Sequence, residues 1–162
     1  MPLSKTLPAD IEQIIATGGI EVVARAVERC EVGPYLRGSA YESRLMHFPA
    51  SEEITDLLLA RGEDINSRDR YECTPIHARV SSRCLDQIPL LIARGGDINA
   101  RDTSDQTALF NVVERFPVAD VSRMIAWGAD PLVVADSRVY GKATLVESVV
   151  AWHSWTHHAR LR

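Results

Sequence analysis

Residues Arg68 to Ala100, RDRYECTPIHARVSSRCLDQIPLLIARGGDINA, are followed without a gap by a second copy of themselves. A step of 33 residues (102 − 69) carries Asp69 to Asp102, and the same step carries Thr74 to Thr107, Ile76 to Leu109, Leu91 to Met124, Gly95 to Gly128 and Asp97 to Asp130. No other feature limits the fold so tightly. A unit of this length holds little more than two short helices and a turn. It cannot bury an apolar face alone and must take its core from its neighbours.

Thr74-Pro75-Ile76-His77, Leu90-Leu91-Ile92 and Gly95-Gly96-Asp97-Ile98-Asn99 resemble the TPLH and LLxxGADVN signatures of the ankyrin repeat at that family's spacing. Upstream, only the second half is matched, by Leu57-Leu58-Leu59-Ala60-Arg61-Gly62-Glu63-Asp64-Ile65-Asn66. Downstream stand Thr107-Ala108-Leu109-Phe110 and Trp127-Gly128-Ala129-Asp130-Pro131. The resemblance implies an all-α ankyrin-repeat solenoid: stacked helix-turn-helix units with β-turn fingers, about four to five of them including degenerate caps. On that reading 1–162 is a single domain, with a capping hairpin over 1–30, a degenerate repeat over 31–67, repeats over 68–100 and 101–133, and a C-terminal cap over 134–162.

Local signals fill in this frame. Ile11, Ile14 and Ile15 have helical spacing, and Gly18-Gly19 is expected to stop that helix in the left-handed region. A second helix follows over 20–29, with Ile20, Val23, Ala24 and Val27 on one face. Gly33-Pro34 and Gly38-Ser39 read as turns, and LMHF at 45–48 is a version of TPLH three residues out of step. Ser51 before Glu52 and Glu53 is a helix start, a hydroxyl cap followed by carboxylates at the positive end of the dipole. Pro75 suits a first helical turn, where the missing amide has no intrahelical partner. Pro89 fits if Asp86 caps a late-starting helix, and Pro117 opens another with Val118, Val121, Met124 and Ile125 as its buried stripe. Arg83 and Phe116 stand where the family usually has glycine. The run from Ala143 to the end reads as one terminal helix, with Leu145, Val149 and Trp152 covering the array.

Composition narrows function. With 46% hydrophobic and 25% charged residues the chain is not of the disordered class. A net charge of −4 disfavours nucleic acid and anionic membranes, and no apolar run approaches the roughly 18 residues of a membrane span. Cys30, Cys73 and Cys84 form neither an even disulfide framework nor a CxxC pair, which points to the cytoplasm. There is no phosphate loop, nucleophile elbow or HExxH, so no enzyme activity and no cofactor is expected.

What the resemblance implies instead is a non-enzymatic protein-protein interaction module, monomeric when unbound, that binds another protein through its concave turns and inner helices. Carried over position by position, the contact residues are Arg68, Arg70, Tyr71, Cys73, Ser81 and Ser82 in one repeat, and Arg101, Thr103, Ser104, Gln106, Glu114 and Arg115 in the next. Trp127 replaces a usually polar residue and is either a partner anchor or a surface packed by the C-terminal segment. A dedicated inhibitor or immunity protein is the narrower version. From another class, His153, His157 and His158 offer a transition-metal clip without a carboxylate or cysteine beside them. His77 is read as structural, hydrogen-bonded to neighbouring backbone.

Overall fold

The computed structural model describes residues 3–137, 141–145 and 147. Among them are seven α-helices, two 3-10 turns and four short strands. The chain divides into two compact units, Met1–Asp97 and Ile98–Arg162.

In the first unit, β1 (Ser4–Thr6) leads into α1 (Ile11–Thr17) and α2 (Ile20–Val27), and β2 (Cys30–Tyr35) returns to pair with β1 in parallel. A 3-10 turn at Leu45–His47 precedes α3 (Glu52–Ala60), followed by α4 (Pro75–Ser81), a second 3-10 turn at Leu85–Gln87 and α5 (Ile88–Ala93). Ile11, Ile15, Val23, Val27, Leu45, Met46, Ile54 and Leu58 form its core. The expected helix starts hold where the chemistry is local. Ser51 Oγ accepts from the Ile54 amide and caps α3, and Pro75 stands in the first turn of α4.

Two glycine and proline signals act differently from expectation. Gly18 has an ordinary φ of −82°, so it is no left-handed stop; a Cβ there would lie 2.4 Å from the Ile14 carbonyl oxygen, and close packing is what requires glycine. Gly33-Pro34 lies inside β2 rather than in a turn. Gly33 has φ +71° and the pairing slips in register at this point, as at a bulge, which is where a strand tolerates a residue without an amide hydrogen.

The second unit contains α6 (Ala108–Arg115), α7 (Val118–Ala126) and an antiparallel hairpin of β3 (Val134–Ser137) and β4 (Gly141–Thr144). Its buried residues include Leu109, Phe110, Val112, Met124 and Ala135. The stripe expected on α7 is mostly wrong. Met124 is fully buried, but Val118 is 81% and Ile125 43% exposed. At roughly 100° per residue those two share a face well round the helix from Met124. Asp86 likewise lies within the 3-10 turn, and Gln87 takes the cap position of α5.

The expectation of an all-α ankyrin-repeat solenoid is overturned by the two sheets. The parallel pair occupies both ends of the N-terminal hairpin, and the antiparallel pair begins the segment read as a helical cap. Ala143 and Thr144 are strand; Thr144 and Glu147 then exchange hydrogen bonds reciprocally, Glu147 Oε2 accepting from the Thr144 amide at 2.7 Å and Thr144 Oγ1 from the Glu147 amide at 3.2 Å. Val149, Trp152 and the three C-terminal histidines lie outside the described residues.

The 33-residue register survives as local chemistry inside each unit. Asn66 donates to the Gly95 carbonyl at 3.0 Å and accepts from the Asp97 amide at 2.8 Å. Within the second unit Asn99 does the same with Gly128 at 3.1 Å and Asp130 at 2.8 Å. Gly95 has φ +89°, the helix-ending conformation that disfavours a Cβ.

Candidate functional site

A turn with one recurring geometry appears three times. Asp69 Oδ1 accepts from the amides of Tyr71 at 2.8 Å and Cys73 at 3.0 Å, and Asp102 Oδ1 accepts from Ser104 at 2.7 Å and Gln106 at 3.0 Å. Ser39 Oγ accepts from the Tyr41 amide at 3.2 Å. Three residues after each side-chain acceptor the backbone turns left-handed, at Glu42, Glu72 and Asp105, with φ between +51° and +60°. The reason is the same in each case: an Asp or Ser side chain imitates a backbone turn and frees the chain to reverse.

The first of these turns lies in the stretch where sequence patterning is faintest. LMHF then forms a single 3-10 turn in place of a full helix. His47 Nδ1 accepts from the Arg44 amide at 3.2 Å, as His77 Nδ1 accepts from Thr74 at 3.2 Å. The two histidines thus hold their turns alike, although Leu45–His47 is three residues long and α4 seven.

In the first unit these pieces enclose a cleft of about 390 Å³. Glu12, Tyr41, His47, Phe48, Asp69, Cys73, Ser81 and Ser82 are among its lining residues. His47 Nε2–H donates to the Cys73 carbonyl at 2.9 Å, so both ring nitrogens are engaged. Burial, with the nearby Arg79 charge, holds its pKa below the usual histidine range against the opposing effect of Cys73 and Asp69. The imidazole is thus neutral at pH 7 and would have to break a bond to move a proton. Behind the wall Arg79 is 1% exposed, and its Nη1 donates to the His47 carbonyl at 2.8 Å. Burial pushes its pKa down to about 10.

At the rim, Tyr41 and Tyr71 meet edge to face with centroids 5.4 Å apart, and the Arg70 amide donates to the Tyr41 carbonyl at 2.8 Å. Of the residues expected to contact a partner, Cys73, Ser81 and Ser82 therefore line the cleft, and Arg70 and Tyr71 stand on the turn beside it. Arg68 is exposed and donates to the Glu72 carbonyl at 2.7 Å.

No family model matches the chain, and no curated protein is similar to it.

In the second unit Arg101 pairs with Asp105 at 2.6 Å and donates to the Val134 carbonyl at 3.0 Å. Thr103 is exposed, whereas Ser104 and Gln106 are half-buried with their amides spent on Asp102. Glu114 and Arg115 are exposed at the end of α6. Trp127 is half-buried, with the Arg123 guanidinium 4.9 Å from its ring centroid. Among the described residues no group of three metal-ligating side chains occurs, and no helix is long and apolar enough to cross a membrane. Sequence reasoning missed Tyr41, His47 and Arg79. The out-of-step LMHF was the one available signal for His47; an arginine in a helix marks no burial by itself.

Proposed function

We propose that this chain is a non-enzymatic module that binds another protein through its turns and the adjoining helix faces. The observation carrying this reading is the rim of the first-unit cleft. Tyr41 and Tyr71 stay 57% and 42% exposed while packed on each other, with Arg70 exposed beside them. Tyrosine and arginine are enriched among residues that anchor interfaces, and a ring already held by a neighbour loses little freedom on binding. Arg68, Cys73, Ser81 and Ser82 extend this surface. In the second unit we assign the same role to Arg101, Thr103, Ser104, Gln106, Glu114, Arg115 and Trp127. Cytosolic residence accords with three free cysteines.

The test is affinity capture from native lysate with the intact protein and with the Arg70→Ala/Tyr71→Ala variant, after circular dichroism has established equal folding. A stoichiometric partner that disappears with the variant supports the reading. Identical proteins captured by both would sink it.

A further inference from the structure

We infer that the first-unit cleft takes a single arginine or lysine side chain from an extended segment of the partner. This rests on reading the cleft as a protein-binding surface and adds the charge of what enters it.

Asp69 lines the cleft yet is only 9% exposed. Two backbone amides hold its Oδ1, which fixes the plane of the carboxylate. Its Oδ2 has no hydrogen-bond or ion-pair partner among the described residues. A carboxylate this withdrawn from water interacts strongly with any donor that reaches it, because little solvent screens the pair. Glu12, on α1, adds a second negative charge to the lining, and no lysine or arginine lines the cleft among the described residues. Arg79, fully buried, is not part of the lining and donates to the His47 carbonyl. The His47 Nε2–H, the imidazole donor in the lining, is committed to the Cys73 carbonyl.

The remaining wall suits the rest of a basic side chain. Tyr41, Leu36 and Phe48 offer apolar surface to the methylene stem, and the Tyr41 ring attracts a cation over its face. At about 390 Å³ the space accommodates one long side chain with some flanking backbone, and excludes a helix roughly 10 Å across. Arg68 and Arg70 stand outside the lining on the turn. They would repel a run of cations, so one basic residue flanked by neutral or acidic ones fits best.

The probe is a fluorescein-labelled decapeptide of Gly, Ser and Asp around one central arginine, compared with the same peptide carrying neutral citrulline. Fluorescence anisotropy should give at least tenfold weaker binding for citrulline. Asp69→Asn keeps an oxygen for both turn amides and removes the charge; it should cost the arginine peptide at least tenfold while leaving the citrulline peptide unchanged. Equal binding of the two peptides, no effect of Asp69→Asn, or no binding of either peptide overturns the inference. A lysate partner lost by Arg70→Ala/Tyr71→Ala but kept by Asp69→Asn overturns it alone and leaves the protein-binding reading standing. A partner kept by both variants removes that reading too.

Discussion

Replacing Arg79 by methionine and, separately, by alanine separates what its charge does from what its stem does. An arginine in water titrates near 12.5 or above, and burial brings Arg79 down to about 10. At about 1.4 kcal/mol for each pKa unit, holding the charge inside costs on the order of 3 kcal/mol. The cost is fully present at pH 7, where both folded and unfolded chains carry the proton, and is relieved only above pH 10 as the folded group deprotonates. Against it stands one charged hydrogen bond to the His47 carbonyl, of about 1.5–3 kcal/mol. The two nearly cancel, so Arg79→Met, which keeps an apolar stem, should fall within about 2 kcal/mol of the native protein in either direction. Arg79→Ala loses the stem as well. Some three methylenes at about 0.8 kcal/mol each put it at least 2 kcal/mol below the methionine variant, before any cavity. Urea unfolding followed by far-ultraviolet circular dichroism at pH 7 measures both. Equal stabilities for the two variants would show that the stem contributes nothing, and a methionine variant more than about 4 kcal/mol below native would show that the charge itself holds the fold.

Three further substitutions test other parts of the argument. Burial raises the Glu63 pKa more than the Gly33 amide and Arg61 lower it, so above that raised value the folded chain carries a net penalty, lifted on acidification. Glu63→Gln should therefore match or exceed native stability at pH 7 and lose the advantage toward pH 4; a variant weaker at pH 7 by the same margin at both values contradicts this. His47 has a lowered pKa, so its contribution is whole above about 6.5 and disappears as pH falls through the folded value. His47→Gln should flatten that acid limb in unfolding curves, and an unchanged slope counts against a neutral buried imidazole. Leu91 is 1% exposed, and Leu91→Ala should cost about 2–5 kcal/mol by the same assay; a neutral result would place it outside the core.

What could be read from the sequence was chemistry that acts within a few residues. Ser51 caps α3 because hydroxyl, carboxylates and helix start lie side by side. Asp69 and Asp102 make matching turns because each bonds amides two and four residues ahead. Pairings over longer spans were not legible. Nothing in Ser4–Thr6 announces a strand until Cys30–Tyr35 arrives beside it, and Gly33-Pro34 looks the same in a bulge as in a turn. On α7 the periodic apolar residues were visible, but which of two adjacent faces turns inward depends on the packing of α6. The cleft was half legible: Cys73, Ser81 and Ser82 stand among the contact residues that the sequence resemblance implied, while Tyr41 and His47 sit where patterning is faintest.

A two-stranded parallel sheet is open along both sides, and β2 should be a ready template for strands of other molecules. Instead, side chains that follow α3 and one that precedes the first 3-10 turn lie along it as a substitute strand. Arg61 donates to the carbonyls of Cys30 and Glu31, Glu63 accepts from the Gly33 amide at 3.1 Å, and Arg44 donates to the Gly33 carbonyl. Pro34 offers no donor at all. The valine at position 32, 57% exposed on this strand, can therefore face water without inviting a neighbour to zip onto the backbone. The unfavourable burial of Glu63 is thus tied to the edge of β2, where its carboxylate takes up the Gly33 amide that a further strand would otherwise use.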